Sequence, residues 1–163
     1  MDLDEVFEEY VDDLYRYLFS LSKNHHTAED LVQETFYRAY LQLSAEDISH
    51  IKPWLFKVAY YAFIDFIRKH KRLVVTDEVH NQISRKTQEI NFLEKEGFNA
   101  LMNDIHSLKE TEMHALLLCD LHQLSLKEAA EILQLNLNTL KSHLSRGRKK
   151  VIERVKERRR QDG

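Results

Sequence analysis

Apolar residues recur at three- and four-residue steps along most of this chain, the period of an amphipathic helix. Val6, Phe7, Tyr10, Val11, Leu14, Tyr17, Leu18 and Leu21 make the first stripe, backed by Glu5, Glu8, Glu9, Asp12 and Asp13 on the opposite face. Asp2 or Asp4 can cap this helix, and Ser22 to His26 is expected to form a loop. A second helix is predicted from Thr27 to about Leu43, with Glu29 and Asp30 in the first turn where the helix dipole favours acids. Leu31, Val32, Thr35, Phe36, Ala39, Tyr40 and Leu43 can pack inward, leaving Asp30, Gln33, Glu34, Tyr37 and Arg38 outward. That outward strip fits either a solvated face or a polar docking surface. After a polar connection, Ser44 to Lys52, the lone Pro53 suits the first turn of a third helix running to about Arg72. Most of its aromatics share an arc with Leu55, Val58, Ala59 and Ala62, and Phe63 and Phe66 are expected in the core. Lys57, Tyr61 and Arg68 cluster on the opposite sector.

The period weakens between Leu73 and Gly97, which we take as a linker, and resumes at Phe98, Ala100, Leu101, Ile105 and Leu108. Ser107 and Glu110 have the spacing of a capping box for a helix over about 108–122 that buries Met113, Leu116, Leu117 and Leu121. A second box, Ser125 and Glu128, opens a helix striped by Leu126, Ala129, Ala130, Ile132 and Leu133. Gln134, Leu135 and Asn136 break it, and Asn136 or Asn138 can cap the next helix. There Leu137, Leu140 and Leu144 face inward. Asn138, Thr139, Lys141, Ser142, Ser145, Arg146, Arg148 and Lys149 face out. This is the pattern of a helix-turn-helix: amides and hydroxyls can meet base edges, and cations can meet phosphates. An ordinary helical hairpin with a solvated basic face is the plainer alternative. The tail, Arg154 to Arg160, is expected to fray. The fold class is therefore all-α, as two small helical domains, 1–72 and 98–163, joined by a linker over 73–97.

Composition agrees with helices: among 163 residues there are only three Gly and one Pro. No run of about 18 apolar residues is present, so no membrane-spanning helix is expected. The acidic opening MDLDEVFEEY lacks the pattern of a secretory signal, and the single Cys119 suits a reducing cytoplasm. The net charge of −3 conceals a gradient. Residues 1–50 hold twelve Asp and Glu against three Lys and Arg, whereas residues 136–163 hold ten Lys and Arg against three acids. The basic end suits nucleic acid, and the acidic end suits either solubility or a basic partner. Lys57 and Arg68 flanking Tyr61 is a combination that holds single-stranded nucleic acid, phosphates on cations and a base on the ring. The run RKHKR at 68–72 adds backbone-binding charge. His25-His26 and the Cys119/His122 pair do not make a four-ligand zinc spacing, and no cofactor is expected.

With these pieces in order, the chain resembles the extracytoplasmic-function (ECF) group of bacterial RNA polymerase sigma factors, in the sigma-70 family. AEDLVQETFYRAY at 28–40 is similar to the helix that docks on the polymerase clamp. KPWLFKVAYYAFIDFIRK at 52–69 is similar to the helix that opens and holds the −10 promoter element. LSLKEAAEILQLNLNTLKSHLSRGRKKV at 124–151 is similar to the module that reads the −35 element. The resemblance implies an alternative sigma factor, not an enzyme, that binds core polymerase at its clamp and flap and binds promoter DNA. It also implies control by an anti-sigma factor, often membrane-anchored. By the same resemblance Asp30, Leu31, Gln33, Glu34 and Arg38 would contact polymerase. Lys52, Trp54, Lys57, Tyr60, Tyr61, Arg68 and Lys69 would engage the −10 region, and the loop around Ser44 to Ile51 would receive an extruded base. Asn138, Thr139, Lys141, Ser142, Ser145, Arg146, Arg148 and Lys149 would dock on the −35 duplex. The chain departs from the family pattern at Tyr60-Tyr61, where a polar pair such as Arg-Asn is usual, at Lys109 in place of Pro, and at Met113 in place of Arg. A stand-alone helix-turn-helix repressor or activator remains the rival reading; it requires a two-fold symmetric duplex site. A small all-α enzyme acting on nucleic acid is weaker, because paired acids such as Glu8 and Asp12 have no accompanying metal-carboxylate or nucleophile set.

Overall fold

A computed structural model of the chain describes residues 2–43, 50–72 and 96–162. Among them every regular element is a helix. The chain divides into two compact units, Met1–Leu93 and Glu94–Gly163. The linker expected over 73–97 lies outside the described residues up to 95, and its last residues, from Glu96, are helical.

The first unit holds α1 (Leu3–Ser22), α2 (His25–Leu43) and α3 (Ile51–Arg72), each packed on the other two. Asp2 caps α1, its carboxylate accepting the Glu5 N–H at 2.9 Å. The helix stops where Lys23 turns left-handed at φ 56° and donates its N–H to the Phe19 carbonyl. The Asn24 side chain then accepts the Thr27 N–H at 2.9 Å, so α2 starts at His25, two residues before the position expected from its acidic turn. The expected Ser22–His26 loop contracts to Lys23 and Asn24. Val6, Leu14, Tyr17 and Leu18 of α1 meet Leu31, Val32 and Phe36 of α2 and Leu55, Phe56, Ala59 and Phe63 of α3 in one core. Tyr17 and Phe56 lie with ring centroids 5.0 Å apart at its centre. Tyr40, expected inward, is 57 % exposed, because the apolar arc of α2 is narrower than its sequence pattern. Phe66 is only half-buried and packs on His70, ring centroids 3.9 Å apart.

The second unit holds α4 (Glu96–His106), α5 (Glu110–Leu116), a π-helical turn (Leu117–Leu121), α6 (Leu126–Leu133) and α7 (Leu137–Asp162). The Ser107/Glu110 box does not form: Ser107 Oγ donates back to the Asp104 carbonyl, and Lys109 opens α5 without a side-chain bond. The Ser125/Glu128 box does form, in both directions. Gln134 ends α6 left-handed at φ 56°, and Asn136 caps α7 by accepting the Thr139 N–H at 2.8 Å. Leu140 and Leu144 are buried together with Leu116, Leu117, Ala129 and Ile132, while Leu137 and Leu121, both expected inside, are exposed. Helix α7 passes α5 at Gly147, where an added Cβ would sit 3.3 Å from Leu116 Cδ1 and 3.4 Å from the Glu112 carbonyl. Its basic tail does not fray but continues as helix to Asp162, tied where Arg158 meets Asp104.

Candidate polymerase and DNA surfaces

On α2 the sequence-derived docking strip divides. Asp30, Gln33 and Glu34 are exposed. Leu31 is 5 % exposed and anchors the helix, so it offers a partner no surface while it stays packed. Arg38 is half-buried and occupied: it reaches Glu34 at 3.0 Å on its own helix and Asp65 at 3.0 Å on α3. Burial lowers its pKa, but the bonds to both carboxylates outweigh that and raise it. Arg38 therefore steadies the strip and fixes Glu34 within it. Tyr37 and Leu41 lie one turn apart on the same strip and are exposed, with Tyr40 beside them. The strip is thus acidic at one end and apolar at the other. The apolar end is hard to see in sequence, because Tyr40 sits at the margin of the stripe that packs inward.

On α3, Lys57 and Tyr61 are half-buried and Arg68 is exposed. Helical phase puts these three on one side together with Trp54. Tyr60 and Tyr61 meet edge-to-face, ring centroids 5.7 Å apart, so the position where the family pattern has a polar pair is here a braced aromatic pair. Lys52 and Lys69 lie at other phases of the helix and do not join that side. Of the loop expected to receive a base, Ser44 to Ile51, residues 44–49 lie outside the described residues; His50 and Ile51 alone are described.

On α7, Asn138, Lys141, Ser142, Ser145, Arg146, Arg148 and Lys149 are exposed and Thr139 is half-buried. The capped first turn presents Asn138, Lys141 and Ser142 beyond the α6–α7 turn, the placement through which a helix-turn-helix enters a major groove. Two flanks of the helix are internally bonded. On one, Glu112 lies with its side chain 2 % exposed, 2.8 Å from Lys150 Nζ and 3.9 Å from Arg146 Nε. The hydrogen bond to Lys150 holds the Glu112 carboxyl below its ordinary range against the opposing effect of burial. His143 is also part of this flank, its Nδ1 within 3.3 Å of Thr111 Oγ1. On the other flank, Arg148 donates Nε and Nη2 to the two Asp120 oxygens at 2.8 and 2.6 Å, which raises its pKa. Lys141 and Lys149 make no ion pair among the described residues.

Sequence reasoning missed Glu112 and Asp120. Their partners are 38 and 28 residues away, a separation no local period reveals. It also missed the π-helical turn. There the His122 N–H bonds to the Leu117 carbonyl five residues back, and the wider turn rephases Asp120 relative to a continuing α-helix. Burial pushes the Cys119 thiol up, as expected of a packing residue rather than a nucleophile. Among the described residues no three His, Cys, Asp or Glu side chains converge on a metal position, and no helix is long and apolar enough to cross a membrane.

Comparison with known proteins places both units. The Sigma-70 region 2 family matches residues 6–73, spanning the three helices of the first unit, and the Sigma-70 region 4 family matches residues 98–151 in the second. The ECF RNA polymerase sigma factor SigM of Bacillus subtilis (strain 168) is 38 % identical over 152 residues, 93 % of this chain and 93 % of that protein. The chain belongs to the ECF sigma factors. The ECF sigma factor SigW of the same organism is 28 % identical over 165 residues, covering 94 % of this chain and 88 % of that one. Among solved structures, the sigma factor RpoE from Bartonella quintana, crystallised with the anti-sigma factor NepR, matches with a TM-score of 0.74. It is 24 % identical and covers 94 % of this chain and 96 % of its own, a likeness of fold. The helix-turn-helix of this sigma factor is α6 and the first part of α7, within the region 4 match that ends at residue 151, and the acidic-to-apolar strip and the Tyr60-Tyr61 pair lie in region 2.

Proposed function

We propose that the chain is a dissociable promoter-specificity subunit of bacterial RNA polymerase that works in the cytoplasm and leaves catalysis to the core enzyme. The observation that carries this is the order of parts: a region 2 unit with an exposed Asp30–Gln33–Glu34 strip, followed by a region 4 unit whose capped α7 exposes a basic and hydroxylated face. In this reading the α2 strip docks on polymerase, with Arg38 bracing it. The Lys57, Tyr61 and Arg68 side of α3, with Trp54 and Tyr60 beside it and Lys52 and Lys69 adding charge, holds unpaired −10 DNA. Trapping unpaired bases favours melting, at roughly 1–3 kcal/mol per stacked base. Asn138, Thr139, Lys141, Ser142, Ser145, Arg146 and Lys149 meet the −35 duplex, while Arg148, paired with Asp120, stands outside that contact. An anti-sigma factor that covers these faces is the expected regulator, since RpoE of Bartonella quintana was solved in complex with one.

Capture by core polymerase tests the docking strip. The double substitution Asp30→Lys, Glu34→Lys reverses two exposed charges without touching the core, so the chain should fold as before and fail to co-purify with core enzyme. Undiminished co-purification would place the docking surface elsewhere.

A further inference from the structure

Resting on the −35 reading above, we infer that Asp120 is a positioning residue that withholds Arg148 from promoter DNA and so sets which cations of α7 the duplex meets. Arg148 presents one edge of its guanidinium, Nε and Nη2, to both oxygens of Asp120 at 2.8 and 2.6 Å. That paired edge is one Arg uses for bidentate contact with guanine or phosphate. Arg148 can therefore use that edge only by surrendering both bonds, and its free Nη1 end carries a charge already offset by Asp120. The bond partner sits on another element, the π-helical turn, whose widened geometry carries Asp120 to the flank of α7. The outward residues of α7 also wrap too far for all to reach DNA at once. Arg148 and Lys141 mark one flank, and Thr139 and Arg146 the other. A helix about 10–12 Å across fills a major groove about 12 Å wide, so its flanks face groove walls rather than bases. Asn138, Ser142, Ser145 and Lys149 occupy the middle of the exposed face, and Lys149 is spent on no ion pair among the described residues. The pair is half-exposed, side chains 50 % and 33 % accessible, so the clamp is one that water and phosphate can reach, not a buried structural bond.

The test uses holoenzyme assembled from core polymerase and the full chain, and a short random-sequence duplex pool. Duplexes retained by holoenzyme but not by core alone are enriched, and affinity for the enriched duplex is followed against salt. Asp120→Asn keeps the shape and removes the charge. It should tighten binding several-fold at low salt and steepen the salt dependence by about one phosphate contact. Arg148→Ala in the Asp120→Asn background should cancel both changes, and Arg148→Ala alone should leave the slope nearly unaltered. The inference is overturned if Asp120→Asn leaves slope and affinity unchanged or weakens binding, or if Arg148→Ala alone flattens the slope by a full contact. Should Asp120→Asn fail to fold by thermal melting, the Arg148→Ala variant alone decides. If wild-type holoenzyme enriches nothing beyond core, the −35 reading itself has failed and this inference falls with it; enrichment without a difference between variants overturns this inference alone.

Discussion

The two units of this sigma factor deploy charge in opposite ways. In the first, the acids of α1 (Glu5, Glu8, Glu9 and Asp12) lie on the surface, and the α2–α3 ion pair through Arg38 joins partly exposed groups. Its stability rests on an apolar and aromatic core, Tyr17 and Phe56 at the centre. In the second, a 26-residue basic helix runs over three carboxylates placed beneath it: Glu112 under Lys150, Asp120 beside Arg148, and Asp104 at Arg158. Glu112 and Asp104 are buried, where water solvates them poorly, so their cationic partners are part of the fold. Surface charge in the first unit is therefore open to change at little cost in stability, whereas in the second some of the basic side chains are engaged in the fold.

Four substitutions sharpen that contrast. Leu140 is fully buried at the α6–α7 turn, and Leu140→Ala should destabilise the second unit by about 2–5 kcal/mol, read by denaturant unfolding. An effect below about 1 kcal/mol would mean the helix-turn-helix is not held by that core. Glu112→Ala strips a buried acceptor but leaves Lys150 able to reach water, so the expected loss is about 1–3 kcal/mol, by the same measurement. A neutral result would reduce Glu112 to a surface group. His114, 4 % exposed, has its pKa lowered by burial, with Glu110 only partly offsetting that. The unfolded chain then takes up a proton that the folded chain resists, so stability should fall as pH drops below about 6.5 toward the lower folded value. His114→Gln should flatten that part of the pH profile, and an identical profile would mean the ring titrates as in solvent. Arg38→Ala, the counterpart in the first unit, should cost no more than about 1 kcal/mol, since Arg38 and both its partners are partly exposed. A loss matching that of Glu112→Ala would erase the distinction between the units.

Much of the architecture was legible in sequence where its cause is local. The Ser125/Glu128 box, the break after Leu133 and the Asn136 cap depend on neighbours within four residues, and each forms. Phase was also legible, but the width of each apolar arc was not. Tyr40, Leu121 and Leu137 all lie at the margins of their stripes, where only the packed neighbour decides whether a side chain is covered. The Ser107/Glu110 spacing had the right residues, yet Ser107 found a nearer acceptor in the Asp104 carbonyl. The tail looked too charged to stay ordered until Asp104 supplied a partner for Arg158 from α4. For the site, residue type and helical face located the exposed α2 strip and the α7 face. What sequence did not disclose was which of those residues are already engaged: Leu31 in the core, Arg38 with Asp65, and Arg148 with Asp120.

Run-off transcription tests the central claim most directly. The purified chain would be incubated with sigma-free core polymerase and fragmented bacterial genomic DNA, and transcripts mapped at their 5′ ends. The account predicts discrete starts that appear only with the chain and share sequence motifs near −10 and −35. No chain-dependent starts, with the chain alone shifting duplex DNA at a two-fold symmetric site, would contradict it and favour a stand-alone helix-turn-helix regulator.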